Sequence, residues 1–103
     1  MAWQDEYDQV EDRLKKFWKD NPNGRIDTKI IHVNADFTNA IHRCEVYKDI
    51  KDEFPVATGI AQDQQGPKGA NQTSWIEYGD TSSVGRALAN WKYAAKERPS
   101  VAE

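Results

Sequence analysis

The sequence predicts an α+β fold with an N-terminal helix, a three-stranded antiparallel sheet and a C-terminal helix packed on the sheet. Three observations carry that expectation. An apolar stripe with helical spacing opens the chain. Three runs between Arg25 and Ala61 then alternate apolar and polar residues, separated by turn formers. Last comes a stretch of small residues, from Tyr78 to Asn90, that carries a sparse apolar face. An antiparallel sheet covered by helices on one face is the economical packing for that order.

The first helix is predicted over Trp3–Asp20. Trp3, Tyr7, Val10, Leu14, Phe17 and Trp18 lie on one face and charged residues on the other, the pattern of a helix docked on a core. Asn21-Pro22-Asn23-Gly24 stops it, because proline cannot continue the helix and glycine suits a left-handed turn. The first strand region alternates twice, Ile26, Thr28 and Ile30, then Ile31, Val33, Ala35 and Phe37, and Asn34 to Asn39 contains turn formers. The change of phase near Ile30 predicts a bulge. A second strand is expected over 40–48, with Ala40, His42, Cys44 and Val46 on one face and Ile41, Arg43, Glu45 and Tyr47 on the other. The third strand is expected over 54–61, with Pro55 at its start, where a missing donor is tolerable. Residues 62–72 are polar, Gly-rich and aperiodic, and read as a loop. The last helix is expected from about Thr73 to Ala95, with Ile76, Gly79, Ser83, Ala87 and Trp91 on one face. A glycine inside a helix costs roughly 1 kcal/mol against alanine. Gly79 and Gly85 therefore imply that this helix is pressed close to a sheet or to another chain.

The chain has 103 residues, 38% of them hydrophobic and 30% charged, which bounds it to one domain, residues 1–98, with a flexible tail at 99–103. No apolar run approaches the roughly 20 residues of a spanning helix. The acidic, polar start Met1-Ala2-Trp3-Gln4-Asp5-Glu6 is unlike a secretion signal, and Cys44 is the lone cysteine. Together these predict a cytoplasmic protein with no internal disulfide. An open sheet edge and a small core both favour a homo-oligomer.

Net charge is −3, which counts against simple electrostatic capture of a duplex. The excess acid lies in residues 1–24 and at Glu103, whereas residues 25–98 hold ten bases and ten acids, so a local basic groove is allowed. His42 and Cys44 share a strand face with Ala40 and Val46 and read as core rather than as metal ligands. Gly66-Pro67-Lys68-Gly69 lacks the spacing of a nucleotide-phosphate loop. No nucleophile, acid pair or cofactor motif stands out, so the expectation is a binding protein and not an enzyme, with no cofactor.

Residues 40–93 resemble the core of phage single-strand DNA annealing proteins, distant relatives of the recombination mediator Rad fifty-two. The residues that carry the resemblance are Gly79-Asp80-Thr81-Ser82-Ser83-Val84-Gly85-Arg86-Ala87-Leu88-Ala89, following a sheet. The opening helix also resembles small actinobacterial-phage proteins that share this pattern. The resemblance implies an oligomeric ring or filament that holds single-stranded DNA by its phosphates and pairs complementary strands without ATP, with a phage or host recombination protein as a further partner. On it, Arg86 becomes a phosphate or inter-subunit contact. Arg43 beside Tyr47 on one sheet face reads as a minimal single-strand platform, with packing of Tyr47 in the core as the equal alternative. Lys48, Lys68 in the loop and Lys92 near the helix end complete the candidate DNA-binding set. The chain departs from the family in its acidity and in Asn90-Trp91, where many relatives carry Leu-Gly. Those departures keep a second expectation open, a protein-interaction or regulatory module of the same fold that binds no DNA.

Overall fold

The computed structural model describes residues 3–66 and 74–94. Lys68 and the predicted tail at 99–103 lie outside the described residues. The order is α1 (Trp3–Asp20), β1 (Arg25–Val33), β2 (Asn39–Tyr47), β3 (Ala57–Gln64), α2 (Trp75–Leu88) and a π-helical turn (Ala89–Tyr93). The strands pair antiparallel in the order β1-β2-β3, α2 lies on β2 and β3, and α1 packs on α2. This is the α+β arrangement that the alternation and the two periodic stretches predict.

Val10 and Phe17 of the α1 stripe are buried, and Leu14 packs against the core. Trp18, one residue off the stripe's centre, remains 43% exposed, its ring edge-on to Phe17 at 4.8 Å. Asn21 ends the helix. Its side-chain nitrogen donates to the Phe17 carbonyl (3.0 Å) and to the Tyr93 hydroxyl (3.2 Å), and that hydroxyl donates to Asp20 (2.9 Å). Burial pushes the Tyr93 phenol up, the bond to Asp20 adds to the shift, and Asn21 opposes it.

The small residues of α2 have two separate causes. Gly79, Ser83 and Ala87 recur every fourth position and face the sheet, all three buried. On β3, Gly59 is where the helix backbone comes closest: a Cβ there would meet the Ser83 carbonyl at 2.6 Å and the Ala87 Cα at 2.9 Å. Gly79 lies over the His42 imidazole and the Asp63 carboxylate, leaving no room for a methyl. Gly85 points elsewhere, toward α1. A Cβ on it would meet Val10 Cγ2 at 2.6 Å, and Arg13 Nη1 donates to the Gly85 carbonyl at 3.1 Å. One glycine admits the sheet and the other admits the first helix.

Several boundaries differ from the sequence expectation, β2 among them, which runs Asn39–Tyr47 rather than 40–48. The register shift falls between Ile30 and His32, where the phase change predicts it, but β1 ends at Val33. Ala35 and Phe37 belong to a hairpin loop instead. There Asn34 Oδ1 accepts from the Thr38 and Asn39 amides (2.9 and 2.8 Å), and Phe37 sits at φ 58°, a conformation unusual for a bulky residue. The strand expected over 54–61 instead begins at Ala57, leaving Phe54 73% exposed in the loop. It also runs on through Gln62-Asp63-Gln64, which pair with Ile41, Ala40 and Asn39. Backbone pairing is indifferent to the polarity that made these residues read as loop. The α-helix stops at Leu88, and the π-helical turn swings Tyr93 into the core, 6.3 Å from Phe17. Ile76, expected on the sheet-facing side, is 39% exposed.

The core is Phe17, Cys44, Val46, Ala87, Leu88 and Tyr93. Burial, with Asp80, Asp27 and Glu45 adding, pushes the Cys44 thiol up to about 12. The thiolate is the reactive form. Cys44 is therefore expected to resist iodoacetamide at pH 8 in the folded protein and to react rapidly in denaturant. Mass spectrometry of the two time courses checks this, and fast labelling of the native chain would contradict the burial.

Candidate nucleic-acid interface

The face of the sheet turned away from α2 is built by alternation. On β2 it presents Ile41, Arg43, Glu45 and Tyr47, since Ala40, His42, Cys44 and Val46 point into the core. Register then decides which residues meet. Lys29 lies opposite Arg43, and Arg43 lies opposite Ile60 of β3. Arg86 reaches from α2 to the same place, its Nη1 donating to the Ile60 carbonyl at 2.9 Å. Lys29 and Arg43 thus lie in a transverse row with Ile60, whose side chain is 51% exposed, and Arg86 meets the end of that row at the β3 edge. Adjacent strands are about 4.8 Å apart, so the row spans roughly 10 Å from β1 to β3, with Arg86 beyond.

Two carboxylates, Glu45 and Asp27, lie opposite each other in the next row of the same face. Glu45 lies 3.3 Å from Lys29 and 3.7 Å from Arg43, and its side chain is 16% exposed against 62% and 42% for the two cations. The cations are open to solvent while Glu45 is tucked beneath them. Arg43 Nε is buried with no hydrogen-bond partner.

Of the residues predicted from sequence, Arg43 and Arg86 both meet Ile60, the first across the strands and the second at its carbonyl. Tyr47 is not available as a stacking platform. It is 6% exposed, and the Arg25 guanidinium lies 3.9 Å above its ring. Arg25 is its direct cross-strand partner, a relation that only the register reveals. The Tyr47 hydroxyl leads the interactions that raise the Arg25 pKa, with Asp27 contributing. Lys48 is exposed but lines a hollow with Asp20, Asp49 and Asp52, apart from the row and among acids. Lys92 lies over the Trp91 and Tyr93 rings at 4.6 and 5.7 Å, on the π-helical turn. Lys29 was missed. Its signal was present in the polar positions of β1, but nothing in the sequence placed it beside Arg43.

Among the described residues no three His, Cys, Asp or Glu side chains come together as a metal site, and no helix is long and apolar enough to cross a membrane.

Residues 14–91 match the Slr1353 N-terminal dsRNA-binding domain-like family, a span from the middle of α1 to the π-helical turn. The chain belongs to this family. Membership in a dsRNA-binding domain-like family fits a nucleic-acid partner in general. No curated protein and no solved structure matches the chain.

Proposed function

We propose that this dsRNA-binding domain-like protein binds single-stranded nucleic acid across the outer face of its sheet, with Lys29, Arg43 and Arg86 on the phosphates. The observation that supports this most directly is the exposed cation row around Ile60. A flat, open sheet face suits an extended strand, as in other sheet-based binders of single strands. Ile60 supplies an apolar contact between the charges. With the backbone held, bases remain free to pair, which agrees with the resemblance of Gly79–Ala89 to annealing proteins and makes ATP-independent annealing the activity to assay. A second reading, duplex RNA as ligand, is favoured by the description of the family itself. Duplex RNA is recognised by shape over about 16 base pairs.

The test is fluorescence anisotropy with labelled single-stranded DNA, single-stranded RNA and duplex RNA at two salt concentrations. Three phosphate contacts to a single strand give a slope of about −2 in log K against log salt, so affinity is expected to fall roughly 20-fold between 50 and 200 mM. Preference for duplex RNA would overturn the single-strand proposal in favour of the second reading. No binding to any of the three at low salt would reject both and leave a protein-interaction module. Glu45→Gln is a further check. Removing the carboxylate that pairs with Lys29 and Arg43 is expected to tighten binding by about 1 kcal/mol, roughly fivefold, in the same titration.

A further inference from the structure

The two edges of the sheet are treated differently. The β3 edge is capped: Arg86 donates to the Ile60 carbonyl, and Asn90 Nδ2 donates to the Thr58 carbonyl at 2.8 Å. At the other edge is β1, whose residues 28–32 are all exposed. Ile30 and Ile31 are 49% and 50% exposed there, an apolar rim on a strand whose outer side has no strand partner among the described residues. Such an edge is a template for another strand.

We propose that β1 pairs antiparallel with β1 of a second copy of this chain, about a two-fold axis through Thr28, to make one continuous six-stranded sheet. The occupant and the register both follow from the strand's own sequence. A two-fold axis perpendicular to the sheet keeps each face on its own side, so the axis must pass through a residue. The regular stretch is Arg25–Ile30, before the register shift at Ile30/His32. An axis at Asp27 would set Arg25 against Lys29. An axis at Lys29 would carry the pairing across the bulge. An axis at Thr28 sets Asp27 against Lys29 twice on the outer face and Ile26 against Ile30 twice on the inner face. Both charged side chains reach solvent, 39% and 62% exposed, and each would add the crossing partner to an ion pair it already makes within the chain, Asp27 with Arg25 at 3.1 Å and Lys29 with Glu45 at 3.3 Å. The exposed Ile30 would cover the flank of Ile26, which already packs on the core. The contact is isologous and closes on itself, so it yields a dimer rather than a filament.

The proposal is independent of the nucleic-acid reading, and its test needs no ligand. The mass of the intact protein is followed by sedimentation equilibrium over a wide concentration range, with Asp27→Lys and Lys29→Asp variants whose folding is confirmed by circular dichroism. The parent is expected to move from one chain to two as concentration rises. Each variant alone sets like charges against each other at both crossings and is expected to stay monomeric. Mixed one to one, the two variants place lysine opposite aspartate at both crossings and are expected to dimerise again. A parent that stays monomeric at millimolar concentration overturns the proposal. So do variants that dimerise as well as the parent, a mixture that stays monomeric, or a parent that assembles beyond two chains.

Discussion

Gly59→Ala is expected to destabilise the protein by on the order of 3 kcal/mol, out of a total that for a domain of this size is typically 5–15 kcal/mol. Overpacking is cheap when the obstructing atom is the end of a flexible side chain. Here the obstruction is backbone: the Ser83 carbonyl and the amide and Cα of Ala87. Relief requires α2 to move off β3 as a unit. That would stretch the bonds from Arg86 and Asn90 to the β3 carbonyls and uncover Ala87 and Leu88 in the core. In a domain of this size the loss corresponds to a fall in melting temperature of on the order of 15 °C, read by thermal circular dichroism. Gly85→Ala is the internal control. Its added methyl meets a methyl of buried Val10 rather than backbone, and it regains up to about 1 kcal/mol of helix propensity, so its net loss is expected to be the smaller of the two, about 1 kcal/mol. Equal losses from the two substitutions would show that the close approach of α2 to β3 does not limit packing.

How much of this was legible in the sequence varies with the physical signal. The α1 stripe fixed that helix to the residue, because its polar and apolar faces are sharply divided and Asn21 to Gly24 cannot continue it. Strand β2 was equally plain, since Ala40, His42, Cys44 and Val46 fill the core in strict alternation. Gly79 and Gly85 announced a close approach, although not that the sheet and α1 would divide them. Register was the information missing. It is set by backbone pairing between distant segments, so no local pattern shows that Asp63 lies opposite Ala40, or that Arg25 covers Tyr47. For the same reason the candidate site was half visible. Arg43 and Arg86 stood out singly, whereas Lys29 and Ile60 joined them only once three strands and a helix were aligned.

That alignment makes the double reversal Arg43→Glu with Arg86→Glu the sharpest test of the interface. A hydrogen bond to a charged partner contributes about 1.5 kcal/mol at the low end of its range, so losing two such phosphate contacts removes about 3 kcal/mol. Single-strand affinity is then expected to fall by at least about 100-fold at low salt, and the salt slope to flatten from about −2 to about −0.7, because one cation of the row remains. The fold should tolerate the change. A glutamate at 43 still faces Lys29 across the strands, and the substitution at 86 removes one exposed bond to the Ile60 carbonyl, about 1 kcal/mol that a melting curve would register. Reversing Lys48 and Lys92 supplies the comparison at equal net charge. Those two lie among the acids near Asp49 and on the π-helical turn, outside the row, so that variant is expected to bind within about threefold of the parent at 200 mM salt, where long-range charge is screened beyond about 8 Å. If both double variants lose affinity equally, binding depends on net charge and not on the geometry of the sheet face. A loss confined to Arg43 and Arg86 would locate the ligand on the outer face, beside Ile60.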